Sequence, residues 1–107
     1  MNQETMYAAA LQSLKGCGSS RLEALIDVCR SPRQAWEAVW DEDLRRRTGI
    51  PPRLFSQLRQ ERNVFDWDTF QHRLDFYGVR PVALWDNEYP AWLPFIARPP
   101  IVLFFQG

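Results

Sequence analysis

Up to about residue 78 the apolar residues recur at helical spacing, and after it the sequence is strand-like. Leu22, Leu25, Ile26 and Cys29 follow the i, i+3, i+4, i+7 pattern of a helix with one buried face. Similar stripes, separated by cap and stop signals, predict about six short helices. From the other helices we expect these residues to face the core: Tyr7, Leu11, Leu14, Ala35, Trp36, Val39, Trp40, Leu54, Phe55, Leu58, Trp67, Phe70, Leu74 and Tyr77.

Polar caps and glycines predict where these helices begin and end. Ser19 or Ser20 is a candidate cap for the second helix. Ser31 before Pro32 marks the start of the third, because proline at the first helical position gives up only an N–H that has no intrahelical partner. Asp66 is the expected cap of the last helix. Three helices are expected to end at a glycine: Gly16, Gly49 and Gly78.

Two strand-like segments follow Gly78. Residues 79–85 predict a β-strand, although Pro81 lacks an N–H donor and so confines the segment to a sheet edge or a strand start. Residues 101–105 are an uninterrupted apolar run, which predicts a buried strand. Between them, residues 92–96 predict a single helical turn. Because two strands alone form a marginal sheet, we expect the chain to stop inside a domain.

Composition and charge restrict the possible functions. A chain of 107 residues with 46% apolar residues can bury one modest core. Its 13 basic and 13 acidic side chains cancel, so any contact with nucleic acid must be local. No apolar run approaches the roughly 20 residues of a membrane span, and residues 1–7 lack the features of a signal peptide. We therefore expect a cytoplasmic protein without membrane contact, with Cys17 and Cys29 as ordinary buried thiols.

The turn between the first two predicted helices has the form Gly-x-Gly. In a helix-hairpin-helix element such glycines, Gly16 and Gly18 here, let the turn approach a phosphate, and the next helix offers free N–H groups. Ser19 would supply one of these groups, and Lys15 and Arg21 would add positive charge. These five residues are the candidate DNA-binding site. The alternative is that Gly16 only ends a helix and Gly18 only loosens a tight corner.

Nothing in the sequence favours an enzyme. His72 stands alone on a predicted helix, and the acidic residues are scattered. No spacing typical of a nucleophile, a metal site or a nucleotide-binding loop occurs. We therefore expect no catalytic activity, no metal and no cofactor.

The last quarter of the chain resembles the signature of the DprA/Smf (DNA-processing protein A) family. In that signature an aspartate, Tyr-Pro, a spaced Leu and Ile, a Pro-Pro pair and an apolar strand ending in glycine occur in this order. The matching positions are Asp86, Tyr89, Pro90, Leu93, Ile96, Pro99, Pro100, residues 102–105 and Gly107. Arg98 departs from the family, which often has an acidic residue there.

The resemblance implies a fold and a function. It implies a mainly α fold in which a small helical bundle, SAM-like or helix-hairpin-helix-like, spans residues 1–63. Residues 64–107 would be the first, truncated part of a Rossmann-like α/β domain. The protein would be a non-catalytic accessory that binds single-stranded DNA, mainly through the Rossmann portion, and helps load RecA in natural transformation and recombination. A homodimer of the full-length protein would be possible. The alternative function is a protein–protein interaction or dimerisation module that makes no contact with DNA.

Overall fold

A computed structural model describes residues 3–96 and 99–106 of the chain. The fold is mainly helical, with a small antiparallel sheet. In the described ranges the elements follow one another as α1 (Gln3–Ser13), α2 (Ser19–Cys29), α3 (Pro32–Glu37), α4 (Glu42–Thr48), α5 (Pro52–Asn63), α6 (Trp67–Tyr77), β1 (Val79–Ala83), a 3₁₀ turn (Leu93–Phe95) and β2 (Val102–Gln106). None of the described helices combines the length and the apolar composition that a membrane span requires.

Most of the predicted helix ends are confirmed. The side chain of Ser31 accepts a hydrogen bond from the Gln34 N–H at the start of α3. Asp66 accepts bonds from two N–H groups in the first turn of α6. The prediction of a serine cap for α2 was wrong, because both Ser19 and Ser20 lie inside the helix. Gly18 is the N-cap residue instead, in an extended conformation with φ −77° and ψ −178°.

The helices enclose one apolar core that also includes residues of the sheet. Among the residues that the structure describes, sixteen buried ones belong to it: Ala8, Ala9, Leu11, Leu14, Cys17, Leu22, Leu25, Ala35, Trp40, Leu44, Ile50, Phe55, Leu58, Ala83, Ile101 and Val102. A half-buried cluster of aromatic rings packs beside this core, with centroids 5.0–6.4 Å apart: Tyr7, Trp36, Phe65, Trp67 and Phe70.

Two residues expected in the core lie at the surface. Val39 is 78% exposed, because α3 ends at Glu37 and Ala38 is extended, so the helical spacing from Ala35 no longer applies. Tyr77 is 64% exposed at the last position of α6. Helical periodicity therefore failed at helix ends, where the backbone leaves the helix.

The two strands pair antiparallel, with Pro81 opposite Phe104. The Leu84 N–H donates to the Ile101 carbonyl at 2.8 Å, so Leu84 and Ile101 form a hydrogen-bonded pair. Hydrogen-bonded and non-hydrogen-bonded pairs alternate along an antiparallel ladder, which makes Pro81 and Phe104 a non-hydrogen-bonded pair. The nitrogen of Pro81 consequently faces away from β2. Of the two placements predicted for Pro81, a sheet edge or a strand start, the structure shows the edge, since Pro81 is the third residue of β1.

The connection between the strands folds over one face of the sheet. Tyr89 and Leu93 are buried there against Val82, while Ala83 and Val102 face the helical core from the other side. Ile96 belongs to the predicted helical turn of residues 92–96, but its side chain is 45% exposed whereas Leu93 is buried. It follows the 3₁₀ turn in an extended conformation, which removes it from the face that Leu93 occupies.

Candidate functional site

The turn between α1 and α2 is a tight corner packed against α5. Gly16 has a φ of +92°, a conformation that side chains disfavour, and a Cβ at this position would lie 2.7 Å from Leu54 Cδ1. Cys17 is buried beneath the turn, as predicted, and its N–H donates to the Leu14 carbonyl at 2.9 Å. The backbone conformation therefore favours glycine at position 16, and a larger residue there would also require the end of the Leu54 side chain to shift.

The start of α2 presents free hydrogen-bond donors. Leu22 is the first residue of the helix whose N–H finds a backbone partner, the Gly18 carbonyl at 3.0 Å. Within the described part of the chain, no acceptor pairs with the N–H groups of Ser19, Ser20 and Arg21. A Cβ on Gly18 would meet nothing within 4 Å, so the space in front of these donors is open. Open donors at a helix N-terminus attract anions.

Charges of both signs surround these donors. Lys15 is exposed and Arg21 is half-buried. The Lys15 N–H is held by the Glu61 carboxylate at 3.0 Å, so the Lys15 backbone offers no donor to a ligand. Further along α2, the exposed carboxylates of Glu23 and Asp27 would repel an anion. The surface that suits an anion is consequently limited to the hairpin end of α2.

A cleft of about 600 Å³ opens beside the first turns of α2. Ser19, Ser20, Glu23 and Asp27 line one side of it, and Trp85 lies on the other. The Trp85 side chain is 41% exposed, so part of its ring is available to a ligand. The cleft thus brings the first residues of α2 and an aromatic surface into one concave site. Of the five predicted site residues only Ser19 lines it; Lys15, Gly16, Gly18 and Arg21 lie outside its lining.

A hydrogen-bonded network holds Trp85 in place. The Trp85 indole Nε1–H donates to Thr5 Oγ1 at 3.0 Å, and the Thr5 hydroxyl donates to Asp86 Oδ2 at 2.8 Å. The same carboxylate oxygen accepts the Ala83 N–H at 2.8 Å. Asp86, the first residue of the resemblance to the DprA/Smf signature, therefore joins α1 to the end of β1.

The other signature residues have structural contacts where the structure describes them. The Tyr89 hydroxyl donates to the Pro100 carbonyl at 2.5 Å, which fixes the start of the connection to its end. Leu93 is buried, and Pro90, Pro99 and Pro100 are half-buried. Arg98 and Gly107 lie outside the described residues.

The burial and the neighbours of the two cysteines and of His72 decide whether these side chains could act as nucleophiles or metal ligands. Burial raises the pKa of the Cys17 thiol to about 11, and the charge of Arg21 opposes this shift. Such a thiol is a poor nucleophile at neutral pH. Cys29 is only half-buried, which corrects the expectation for that residue. His72 is exposed, and in the described ranges no three His, Cys, Asp or Glu side chains lie together as a metal site would need.

The five predicted site residues do lie together at one corner, but sequence reasoning missed Trp85 and Thr5. Trp85 was assigned only to a strand, and Thr5 carried no signal. Trp85 could have been noted as an apolar ring directly before a turn, whereas the contact of Thr5 with Asp86 depends on the tertiary fold.

The chain was compared with protein-family models, with curated proteins and with solved structures, and none of these comparisons found a match. The resemblance to the DprA/Smf signature therefore stays a prediction from the sequence.

Proposed function

We propose that the chain is an accessory domain of a DprA-like protein that binds single-stranded DNA through the α1–α2 hairpin. A backbone phosphate would accept hydrogen bonds from the N–H groups of Ser19, Ser20 and Arg21. The side chains of Lys15 and Arg21 would add charge-assisted contacts. The observation that carries this proposal is the open start of α2, where Gly18 places no side chain over the free donors.

The aromatic side of the cleft supports a single-stranded ligand. Proteins bind single strands by combining phosphate contacts with aromatic rings on which bases stack. Trp85 lines the same cleft as Ser19 and Ser20, and its indole N–H is already held by Thr5. The ring is therefore preorganised as a stacking surface. A base on Trp85 and its phosphate at α2 would form a sequence-independent contact.

The local charges imply weak binding. Only one or two phosphates can bind at the hairpin, because the carboxylates of Glu23 and Asp27 further along α2 would repel any others. Each phosphate contact to a single strand contributes about 0.7 to the slope of log affinity against log salt. We therefore propose that this domain only assists DNA binding. A Rossmann-like portion, of which residues 64–107 are the beginning, would make most of the contacts with single-stranded DNA and help load RecA. An antiparallel edge strand such as β1 is common on such sheets.

Amide mapping tests this proposal residue by residue. An unlabelled oligothymidylate would be titrated into the ¹⁵N-labelled chain, and the proposal predicts shifts of the Ser19, Ser20 and Arg21 amides and of the Trp85 indole N–H. The Arg46 and Arg73 amides, beside exposed arginines on α4 and α6, serve as internal controls. Shifts at Arg46 and Arg73 but not at the hairpin would reject the proposed site.

A second candidate function is a partner-docking module without DNA contact. Three apolar side chains around the 3₁₀ turn are exposed: Trp92 at 66%, Phe95 at 88% and Ile96 at 45%. Exposed apolar side chains that cluster in this way are typical of interaction surfaces. If the oligothymidylate shifts no amide, this function becomes the better account of the domain.

A further inference from the structure

Two carboxylates line the cleft beside α2 without a partner of their own. Glu23 and Asp27 are one helical turn apart, so they lie on the same face of α2. In the part of the chain that the structure describes, neither forms an ion pair or a side-chain hydrogen bond. Most other acidic side chains there are engaged, in ion pairs with arginines or as helix caps: Glu37, Glu42, Asp43, Glu88, Asp41 and Asp66. Glu23 and Asp27 are therefore free to accept hydrogen bonds from a ligand.

The two ends of this wall of the cleft suit different parts of a nucleotide. The N–H groups of Ser19 and Ser20 suit a phosphate. Glu23 and Asp27, further along the same wall, repel one. Because a helix rises 1.5 Å per residue, these carboxylates lie roughly 6 Å and 12 Å beyond Ser19 along the axis of α2. A nucleotide whose phosphate binds at the start of α2 would thus bring its base to the carboxylates.

The opposite wall suits the flat face of a base. Trp85 has its indole N–H bound to Thr5, which leaves the ring itself as the contact surface. The other side chains of this wall are apolar: Leu84, Pro99 and Ile101. These side chains offer no hydrogen bond to a base stacked on Trp85. The carboxylates of α2 are therefore the groups that can bond to its Watson–Crick edge.

The four bases differ in what they present to a carboxylate, which only accepts hydrogen bonds. Guanine carries two adjacent donors on its Watson–Crick edge, N1–H and N2–H₂, and these match the two oxygens of one carboxylate. Adenine and cytosine each place a ring-nitrogen acceptor beside their amino donor, and the single N3–H of thymine lies between two carbonyls. An acceptor set against a carboxylate is repelled, so guanine suits this wall better than the other bases do.

We propose that the cleft between α2 and Trp85 prefers guanine, with the base stacked on Trp85 and its Watson–Crick edge bonded to Glu23 or Asp27. The inference rests on the proposed function, because single-stranded DNA must first bring a base to the cleft. Stacking and phosphate contacts are independent of sequence by themselves. The carboxylates add a base preference to them.

Competition between oligothymidylates that differ at one central base tests the proposal. The central base would be guanine, hypoxanthine, adenine, cytosine or thymine, and a single guanine avoids the four-stranded structures that guanine runs form. We expect the strand with guanine to bind about fivefold or more tightly than the strand with thymine. Hypoxanthine keeps the N1–H but lacks the 2-amino group, so its strand should lose most of this advantage.

Glu23→Gln/Asp27→Asn separates recognition of the base from the effect of charge. Removing the negative charges should strengthen the binding of every strand, because phosphates are no longer repelled. The ratio of the affinities for guanine and hypoxanthine should nevertheless fall to about one, since an amide cannot accept two hydrogen bonds side by side. Asp68→Asn, at an exposed carboxylate of α6, is the matched control and should leave that ratio unchanged.

The same measurements separate failure of this inference from failure of the proposed function. Binding that Lys15→Ala/Arg21→Ala loses but that ignores the central base would overturn the guanine preference and leave the proposed function intact. The carboxylates and the indole would then suit a cationic group of a partner protein instead. A guanine preference that Glu23→Gln/Asp27→Asn retains would also overturn the inference. Failure of every strand to bind would reject the proposed function and this inference with it.

Discussion

The Thr5 hydroxyl donates a 2.8 Å hydrogen bond to Asp86 Oδ2 and thereby joins the first helix to the turn after β1. Thr5 is buried, at 1% exposure, and its oxygen also accepts the Trp85 indole N–H. Asp86 closes the outer edge of β1 through Ala83. One threonine thus couples the helical core, the sheet edge and the aromatic side of the cleft.

Thr5→Val tests this coupling with little change of shape. The substitution removes one donor and one acceptor and leaves the Trp85 indole N–H without its partner. We expect a loss of about 1–3 kcal/mol in the free energy of unfolding, measured by urea denaturation. Ser56→Ala, at an exposed serine of α5, should change it by less than about 0.5 kcal/mol. An equal effect of the two substitutions would contradict the account of the network.

The two glycines of the hairpin should respond differently to alanine. At Gly16 the positive φ and the contact with Leu54 Cδ1 both oppose a side chain, and we expect Gly16→Ala to cost about 2 kcal/mol or more. Gly18 has an ordinary φ and open space around it, so Gly18→Ala should cost less than about 1 kcal/mol. Chemical denaturation of both variants checks the difference, and a larger cost at Gly18 would show that the turn is packed otherwise.

Cys17 predicts a pH dependence of stability. Burial raises the pKa of its thiol from 9.0 to about 11 in the folded chain. Between these values the thiol ionises in the unfolded chain but stays protonated in the folded one, so ionisation favours unfolding. This contribution to stability is fully present below about pH 9 and is lost as the pH rises towards 11.

The comparison with Cys17→Ala isolates that contribution. Denaturation at pH 8 and pH 10.5 should show that the wild-type chain loses more stability over this interval than the variant does. Cys29→Ala is the control. Because the Cys29 thiol is only half-buried, its removal should alter the loss of stability between pH 8 and pH 10.5 less than the removal of Cys17 does. Identical losses for the wild type and Cys17→Ala would mean that the Cys17 thiol is accessible to water.

Local signals made most of the helices predictable, because a cap or a glycine acts within one turn of the chain. Ser31, Asp66, Gly49 and Gly78 were assigned correctly for this reason. The start of α2 was assigned wrongly. Gly18 has the extended conformation of a cap residue, so the helix begins at Ser19 and includes both serines. The predicted burial of Val39 and the predicted inclusion of Ile96 in a helical turn were wrong, because each residue follows a short helical element that had already ended.

The candidate site was only partly predictable. The five hairpin residues are close together in the sequence, so their proximity in the fold follows from the turn itself. Trp85 reaches the same cleft because β1 packs against α1, and that packing joins residues about eighty positions apart. The antiparallel order of the strands likewise depends on the connection folding over the sheet, which no local pattern encodes.

Trp85 should matter to DNA binding if bases stack on it. Base–aromatic stacking contributes about 1–3 kcal/mol per base. We therefore expect Trp85→Leu to weaken binding of an oligothymidylate about fivefold or more, measured by competition against a labelled strand. Trp92→Leu, at an exposed tryptophan away from the cleft, should leave the affinity unchanged. Equal losses at the two positions would indicate non-specific contact with aromatic rings.

The central claim is that the hairpin binds the phosphates of single-stranded DNA, and fluorescence anisotropy at several salt concentrations tests it most directly. A labelled oligothymidylate would be titrated with the wild-type chain, with Lys15→Ala/Arg21→Ala, and with the matched control Arg46→Ala/Arg73→Ala. We predict weak, salt-sensitive binding that the hairpin variant loses and the control retains. Absence of binding at low salt, or equal losses in both variants, would contradict the claim and leave this domain as a docking module.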